Sequence, residues 1–166
     1  MKMKINDQKN NSETVLFFID LDETLITREK QLILLEKNVI KSLHQLKNDG
    51  IFLFISSRNF PHAVKNALEE LSIIELFHDY IADFRNKKYH IKEVISDLKL
   101  QNVSPTIIIF VDDHLPNCKN VAELIDEIDS KIYSIKYSKN PPHNLETITK
   151  KVAENNWSKL EKLSII

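Results

Sequence analysis

Glycine, cysteine and tryptophan each occur once in these 166 residues, and arginine occurs three times. The lone cysteine, Cys118, excludes an internal disulfide framework and fits a reducing compartment. No apolar run approaches the roughly 18 residues needed to cross a bilayer as a helix, which argues against a membrane protein. Lys and Arg number 23 against 24 Asp and Glu, so the formal charge is −1 with a pI near 6.6. That balance leaves no overall field to draw in nucleic acid or an anionic membrane, and partners must be recognised at a local site. The opening "MKMKINDQKNNSET" has lysines but no apolar stretch of signal-peptide type behind it. Residues 1–12 are expected to be a disordered leader, and a cytoplasmic location is the default. The shortage of Gly and Arg beside abundant Lys, Ile and Asn reads as coding bias, and no function follows from it.

What is present is an alternation of short apolar runs with helical patterns, the sequence form of a parallel sheet buried on both faces. "TVLFFID" (14–20), "IFLFISS" (51–57), "TIIIFVDD" (106–113) and "KIYSIKY" (131–137) read as strands, with a short one near Tyr80 to Ala82. Helical faces follow at Leu35, Val39, Ile40, Leu43 and Leu46; at Ala63, Val64, Ala67, Leu68 and Leu71; at Ile91, Val94, Ile95 and Leu98; and at Val121, Leu124, Ile125 and Ile128. Gly50 stands where a helix C-terminus wants glycine, Pro61 marks a helix start, and Pro105 marks a strand entrance. A turn and one amphipathic helix should close the chain, docking through Ile148, Val152, Trp157 and Leu160. The expectation is an α/β, doubly wound, Rossmann-like sheet with helices on both faces, comprising a core at 13–138 and a C-terminal turn and helix at 139–166. Such sheets bind ligands at the carboxyl ends of their strands.

Those ends are where the chemistry lies. Asp20 and Asp22 follow a buried strand, although unpaired buried carboxylates are among the costliest groups a fold can hold. A solvated cleft makes the arrangement cheap, and a bound cation makes it favourable. Ser56 and Ser57 end the second strand, Asp112 and Asp113 the third, and Lys87 and Lys88 precede a helix. Acids for a hard cation, hydroxyl and ammonium donors for an anion, and a candidate nucleophile therefore converge on one rim.

"DLDETL" (20–25), "SSR" (56–58), "KKYHI" (87–91) and "FVDDHLPN" (110–117) resemble, in order and position, the four motifs of the haloacid dehalogenase (HAD) superfamily. The resemblance spans roughly residues 14–137 and is nearest to the small capless magnesium-dependent phosphatases. It implies a Mg2+-dependent phosphatase acting through an aspartyl phosphate, with Asp20 as nucleophile and Asp22 as proton donor and then base. Thr24 would orient the loop. Ser57, or Ser56 if the strand boundary shifts by one residue, would donate to a phosphoryl oxygen. Lys87, or its neighbour Lys88, would neutralise charge, and Arg58 and Asn59 lie where substrate would enter. Mg2+ would contact the Asp20 carboxylate, the Asp22 carbonyl and Asp113, with Asp112 beside them as the alternative ligand or as an acid that orients Lys87. His114 and Cys118 carry no role in this reading. The spans 24–51 and 58–87 are just long enough for local helices, so no cap module is expected. An open site suits a phosphoryl group on a protein or another macromolecule. A polynucleotide 3′-phosphatase and a non-catalytic binding module on the same fold are the alternatives, although no basic surface signals nucleic acid.

Overall fold

A computed structural model describes residues 13–166, so the expected leader at 1–12 lies outside the described residues. Five strands form a parallel sheet: β1 (Val15–Ile19), β4 (Phe52–Ser57), β5 (Asp79–Ala82), β6 (Ile107–Asp112) and β7 (Lys131–Lys136), in the spatial order β5-β4-β1-β6-β7. The first strand is thus central, paired with β4 on one side and β6 on the other. Its alternation sorts the core into two layers. Val15, Phe17 and Ile19 pack against α1 (Val39–Asn48), α2 (Pro61–Glu70), α5 (Leu145–Ala153) and α6 (Trp157–Glu161). Leu16 and Phe18 face α3 (Lys87–Leu100) and α4 (Leu115–Ala122), where the Phe18 ring stacks on Phe54 with centroids 5.0 Å apart. All five β1 residues are buried, which is why the strand reads as a continuous apolar run. At about 1.5–3 kcal/mol for each large apolar side chain removed from water, this strand anchors the domain.

Gly50 takes φ 83°, and the Gly50 and Ile51 amides return to the Lys47 and Leu46 carbonyls, so the end of α1 needs the one residue without a Cβ penalty. Pro61 opens α2 as expected.

Three expectations are corrected. The span 24–51 contains, besides α1, a small antiparallel hairpin of β2 (Ile26–Thr27) and β3 (Ile33–Leu34), too short to leave a periodic trace in the sequence. The helix expected through Ile128 ends at Ala122 and tightens into a 3-10 turn over Glu123–Asp126. That change of period rotates Ile125 outward, to 49% exposure, while Leu124 stays buried. The single tail helix is two, broken at Asn155, whose φ of 51° no continuing helix accommodates. Both still dock: Ile148, Val152 and Leu160 are buried, and the Trp157 ring stacks on Tyr133 at 6.0 Å.

The tail is held by reciprocal capping that spans the chain. The buried Glu36 carboxylate accepts hydrogen bonds from the Leu145 and Glu146 amides at 2.8 and 2.9 Å, satisfying two free donors at the start of α5. In return Glu146 accepts the Asn38 amide, at the start of α1, at 3.2 Å. Glu36→Ala leaves the α5 donors buried and unpaired. It is expected to cost on the order of 3 kcal/mol, read as a lower urea midpoint, whereas Glu146→Ala, at an exposed bond, should cost well under half of that.

Candidate active site

The strand register decides which residues meet. Ile19 of β1 is level with Ile55 of β4 and Val111 of β6, so the next residues, Asp20, Ser56 and Asp112, emerge together at the carboxyl rim. The Asp20 amide continues the ladder by donating to the Val111 carbonyl at 2.9 Å. Carboxylate oxygens of Asp20, Asp112 and Asp113 lie within 4.8 Å of one another. The Asp22 side chain is not among them, although the chain doubles back there and buries Leu21 completely.

Lys87 enters this acidic cluster from the start of α3. Its Nζ donates to Asp20 Oδ1 at 2.7 Å, lies 3.4 Å from Asp112 Oδ2, and also donates to the Ser56 carbonyl. With the side chain 1% exposed, its charge is desolvated and answers the acids directly. Lys88 does not reach the site: one helical step away, it pairs with Glu123 at 2.6 Å on the surface.

Thr24 ties the first and last motifs together. Its hydroxyl accepts the Asp113 amide at 3.0 Å and stands 3.2 Å from Asp20 Oδ2 and 3.4 Å from Asp113 Oδ1, so its one proton serves one carboxylate at a time. Fully buried, it braces the acids. Glu23, just before it, is forced to φ 61°, a left-handed turn that a non-glycine residue adopts only under constraint.

Ser56 is committed elsewhere. His90, completely buried, bridges it to Asp83: Nδ1 is 2.9 Å from Ser56 Oγ, and Nε2 is 2.8 Å from Asp83 Oδ1. The Asp83 carboxyl, held far below its ordinary range chiefly by Arg85, can only accept, so His90 Nε2 carries the proton. Burial lowers the His90 pKa and keeps the ring neutral, which makes Nδ1 the acceptor of the Ser56 hydroxyl. Ser57 makes no such bond among the described residues and is 2% exposed at the rim. Asp22 is 37% exposed in its side chain, paired with Arg28 of the hairpin at 2.6 Å and approached by Asn59 Nδ2 at 3.4 Å. Arg58 is exposed.

Burial pushes the Asp20 carboxyl up to about 7; Lys87 opposes the rise, while Asp112 and Asp113 reinforce it. Asp113 is raised as well, by burial and then by Asp112. Carboxylates driven toward protonation by desolvation and mutual repulsion are groups that a hard divalent cation relieves, so the donor set fits such a cation. Asp112 is oriented by the His114 amide at 2.8 Å and by Asn117 Nδ2 at 3.0 Å. Asn117, His90 and Arg28 join the site through their contacts to Asp112, Ser56 and Asp22. The first two sit inside the quoted motifs, and the third carried no signal. Cys118 is buried with its thiol pushed up to about 12 by desolvation, which leaves it inert. A surface groove of about 790 Å3 between α1 and the α5–α6 pair shares no residue with the acidic rim.

A family model, described as "Protein of unknown function (DUF705)", matches residues 2–146. The chain belongs to this family. No curated protein matches this DUF705 chain. Among solved structures it is similar to a HAD-superfamily hydrolase from Ehrlichia chaffeensis, with TM-score 0.56 and 17% identity over 81% of this chain, and it spans 62% of that protein's length. It is similar also to 3-deoxy-D-manno-octulosonate 8-phosphate phosphatase from Moraxella catarrhalis, solved with magnesium and phosphate ions and KDO (TM-score 0.53, 18% identity, covering 87% of this chain and 89% of that one). A third is the core domain of a putative phosphoglycolate phosphatase from Streptococcus pneumoniae TIGR4 (TM-score 0.52, 16% identity, covering 81% and 88%). At such identities the likeness establishes the fold: a HAD-like, Rossmann-like α/β core with appended C-terminal helices and, among the described residues, no cap module. No helix of the described residues is long and apolar enough to cross a membrane.

Proposed function

We propose that this chain is a capless, Mg2+-dependent phosphomonoester hydrolase that works through an aspartyl phosphate on Asp20. The observation that carries the reading is the convergence of Asp20, Asp112 and Asp113 around the buried ammonium of Lys87 at the carboxyl edge of the central strands. An Asp20 oxygen attacks phosphorus as the bond to the leaving oxygen breaks, and the Asp22 carboxyl gives that oxygen its proton. Water then attacks the phosphorus of the acyl phosphate, Asp22 takes up its proton, and the carboxylate of Asp20 is released together with inorganic phosphate. Lys87 neutralises charge on Asp20 and on the incoming phosphoryl group, and Ser57 donates a hydrogen bond to a phosphoryl oxygen. Asp20, Asp112 and Asp113 would hold the divalent cation, which when bound offsets phosphoryl charge. The Arg28 contact to Asp22 is exposed and therefore weak enough to yield when substrate arrives.

The test is hydrolysis of an aryl phosphate in millimolar Mg2+ and in excess chelator. Turnover in the first and none in the second is expected, and no turnover of that ester or of a panel of phosphopeptides, nucleotides and sugar phosphates overturns the proposal. Asp113→Ala should raise the Mg2+ concentration for half-maximal activity by about tenfold or more, by analogy with losses in a metal's ligand environment. In metal-free buffer the variant should be no less stable than the parent, because one of three repelling carboxylates has gone. An unchanged Mg2+ requirement would place the cation elsewhere.

A further inference from the structure

We propose that Phe60 and Phe84 form an aromatic platform at the mouth of the site that stacks a planar ring carried by the substrate's leaving group. The preferred substrates are then phosphomonoesters of ring-bearing alcohols. This deepens the phosphatase reading and rests on it.

Both side chains are 56% exposed, yet they touch: the rings meet edge to face, with centroids 5.1 Å apart and planes at 77°. The His62 ring stacks on Phe60 at 5.7 Å, extending the surface. Two adjacent phenyl rings kept in water are an apolar patch that folding does not require, and an edge-to-face pair leaves ring faces open to a third ring.

The patch stands beside the proposed chemistry. Its residues come from the loops after β4 and β5, which pair in parallel with Ser57 level with Ala82, so both loops leave the rim that carries Asp20. Asn59, next to Phe60, reaches Asp22, the proposed proton donor to the leaving oxygen, at 3.4 Å. A leaving group whose oxygen is within reach of Asp22 therefore begins next to the segment that carries Phe60. Neither loop is slack. Asn59 Oδ1 accepts the Phe60 amide at 2.8 Å, and Asp83 accepts the Arg85 amide at 2.9 Å, bracketing Phe84. Loops already ordered lose little backbone entropy when a third ring stacks on the side chains they carry.

The experiment uses matched esters whose leaving oxygens are alike, so that only the ring differs: 2-phenylethyl phosphate against propyl phosphate, and adenosine 5′-monophosphate against ribose 5-phosphate. In at least one pair the wild type should favour the ring-bearing ester in kcat/KM by about tenfold or more, the scale of one stacked ring. The phenyl pair alone would assign a carbocyclic ring and the nucleotide pair alone a nucleobase. The preference should fall to near unity in Phe60→Ala/Phe84→Ala and only partly in Phe60→Leu/Phe84→Leu, which keeps apolar area without the π faces. Ratios near unity in the wild type, or an unchanged preference in the double alanine variant, overturn the platform. If no ester is turned over, the phosphatase reading fails and the platform is decided by saturation-transfer NMR with 2-phenylethanol and adenosine. A wild-type signal lost in the double alanine variant then supports it, and no signal overturns it.

Discussion

Asp20→Asn is expected to abolish turnover and to leave no covalent phosphoenzyme on acid quench. The amide is nearly isosteric but has no anionic oxygen to attack phosphorus, and among the described residues no other carboxylate is placed both beside Lys87 Nζ at 2.7 Å and at the end of the central strand. A folding defect would not explain the loss, because burial, reinforced by Asp112 and Asp113, drives the Asp20 carboxyl up despite Lys87, so removing its charge relieves a net penalty. Thermal unfolding in metal-free buffer should therefore show a variant at least as stable as the parent. Asp22→Asn supplies the contrast. Losing a general acid costs about 10²- to 10⁴-fold with an alkyl ester but far less with an activated aryl ester, whose leaving oxygen needs little protonation. Equal losses on both esters, or a phosphoenzyme in Asp20→Asn, would remove the distinction between the two acids.

Lys87→Met should damage stability as well as catalysis. The ammonium is 1% exposed between Asp20 and Asp112, and losing it leaves a buried acidic cluster with no internal counter-charge. Breaking a buried pair from one side typically costs about 3–5 kcal/mol, because the remaining charge keeps its desolvation penalty. The urea midpoint in metal-free buffer should fall accordingly, and millimolar Mg2+ should restore more stability to the variant than to the parent, since a cation at the same acids replaces part of the missing charge. Lys88→Met, which breaks a surface pair with Glu123 and a contact of the ammonium with the Tyr89 ring at 5.8 Å, should move neither stability nor turnover appreciably. A Lys87 variant as stable as the parent would mean that its acids are protonated at the working pH, and the electrostatic account of the cluster would fall.

The sequence by itself determined the sheet and its working edge. Continuous β-branched and aromatic runs have few ways to be buried on both faces, and acids ending two of those runs must emerge where the strands end. It also narrowed Ser56/Ser57 and Lys87/Lys88 to adjacent pairs, but adjacency is where pattern reading stops. Neighbouring positions on a strand or helix differ by a rotation, and the tertiary packing selects which of them faces the site. His90 crossing from α3 occupies Ser56, and Glu123 on the adjoining turn draws Lys88 outward. Glu36 capping a helix 109 residues away and Phe60 meeting Phe84 across two loops are likewise properties of the assembled fold. They depend on which strands lie side by side, an arrangement fixed by the burial of the whole core and by no local run of residues.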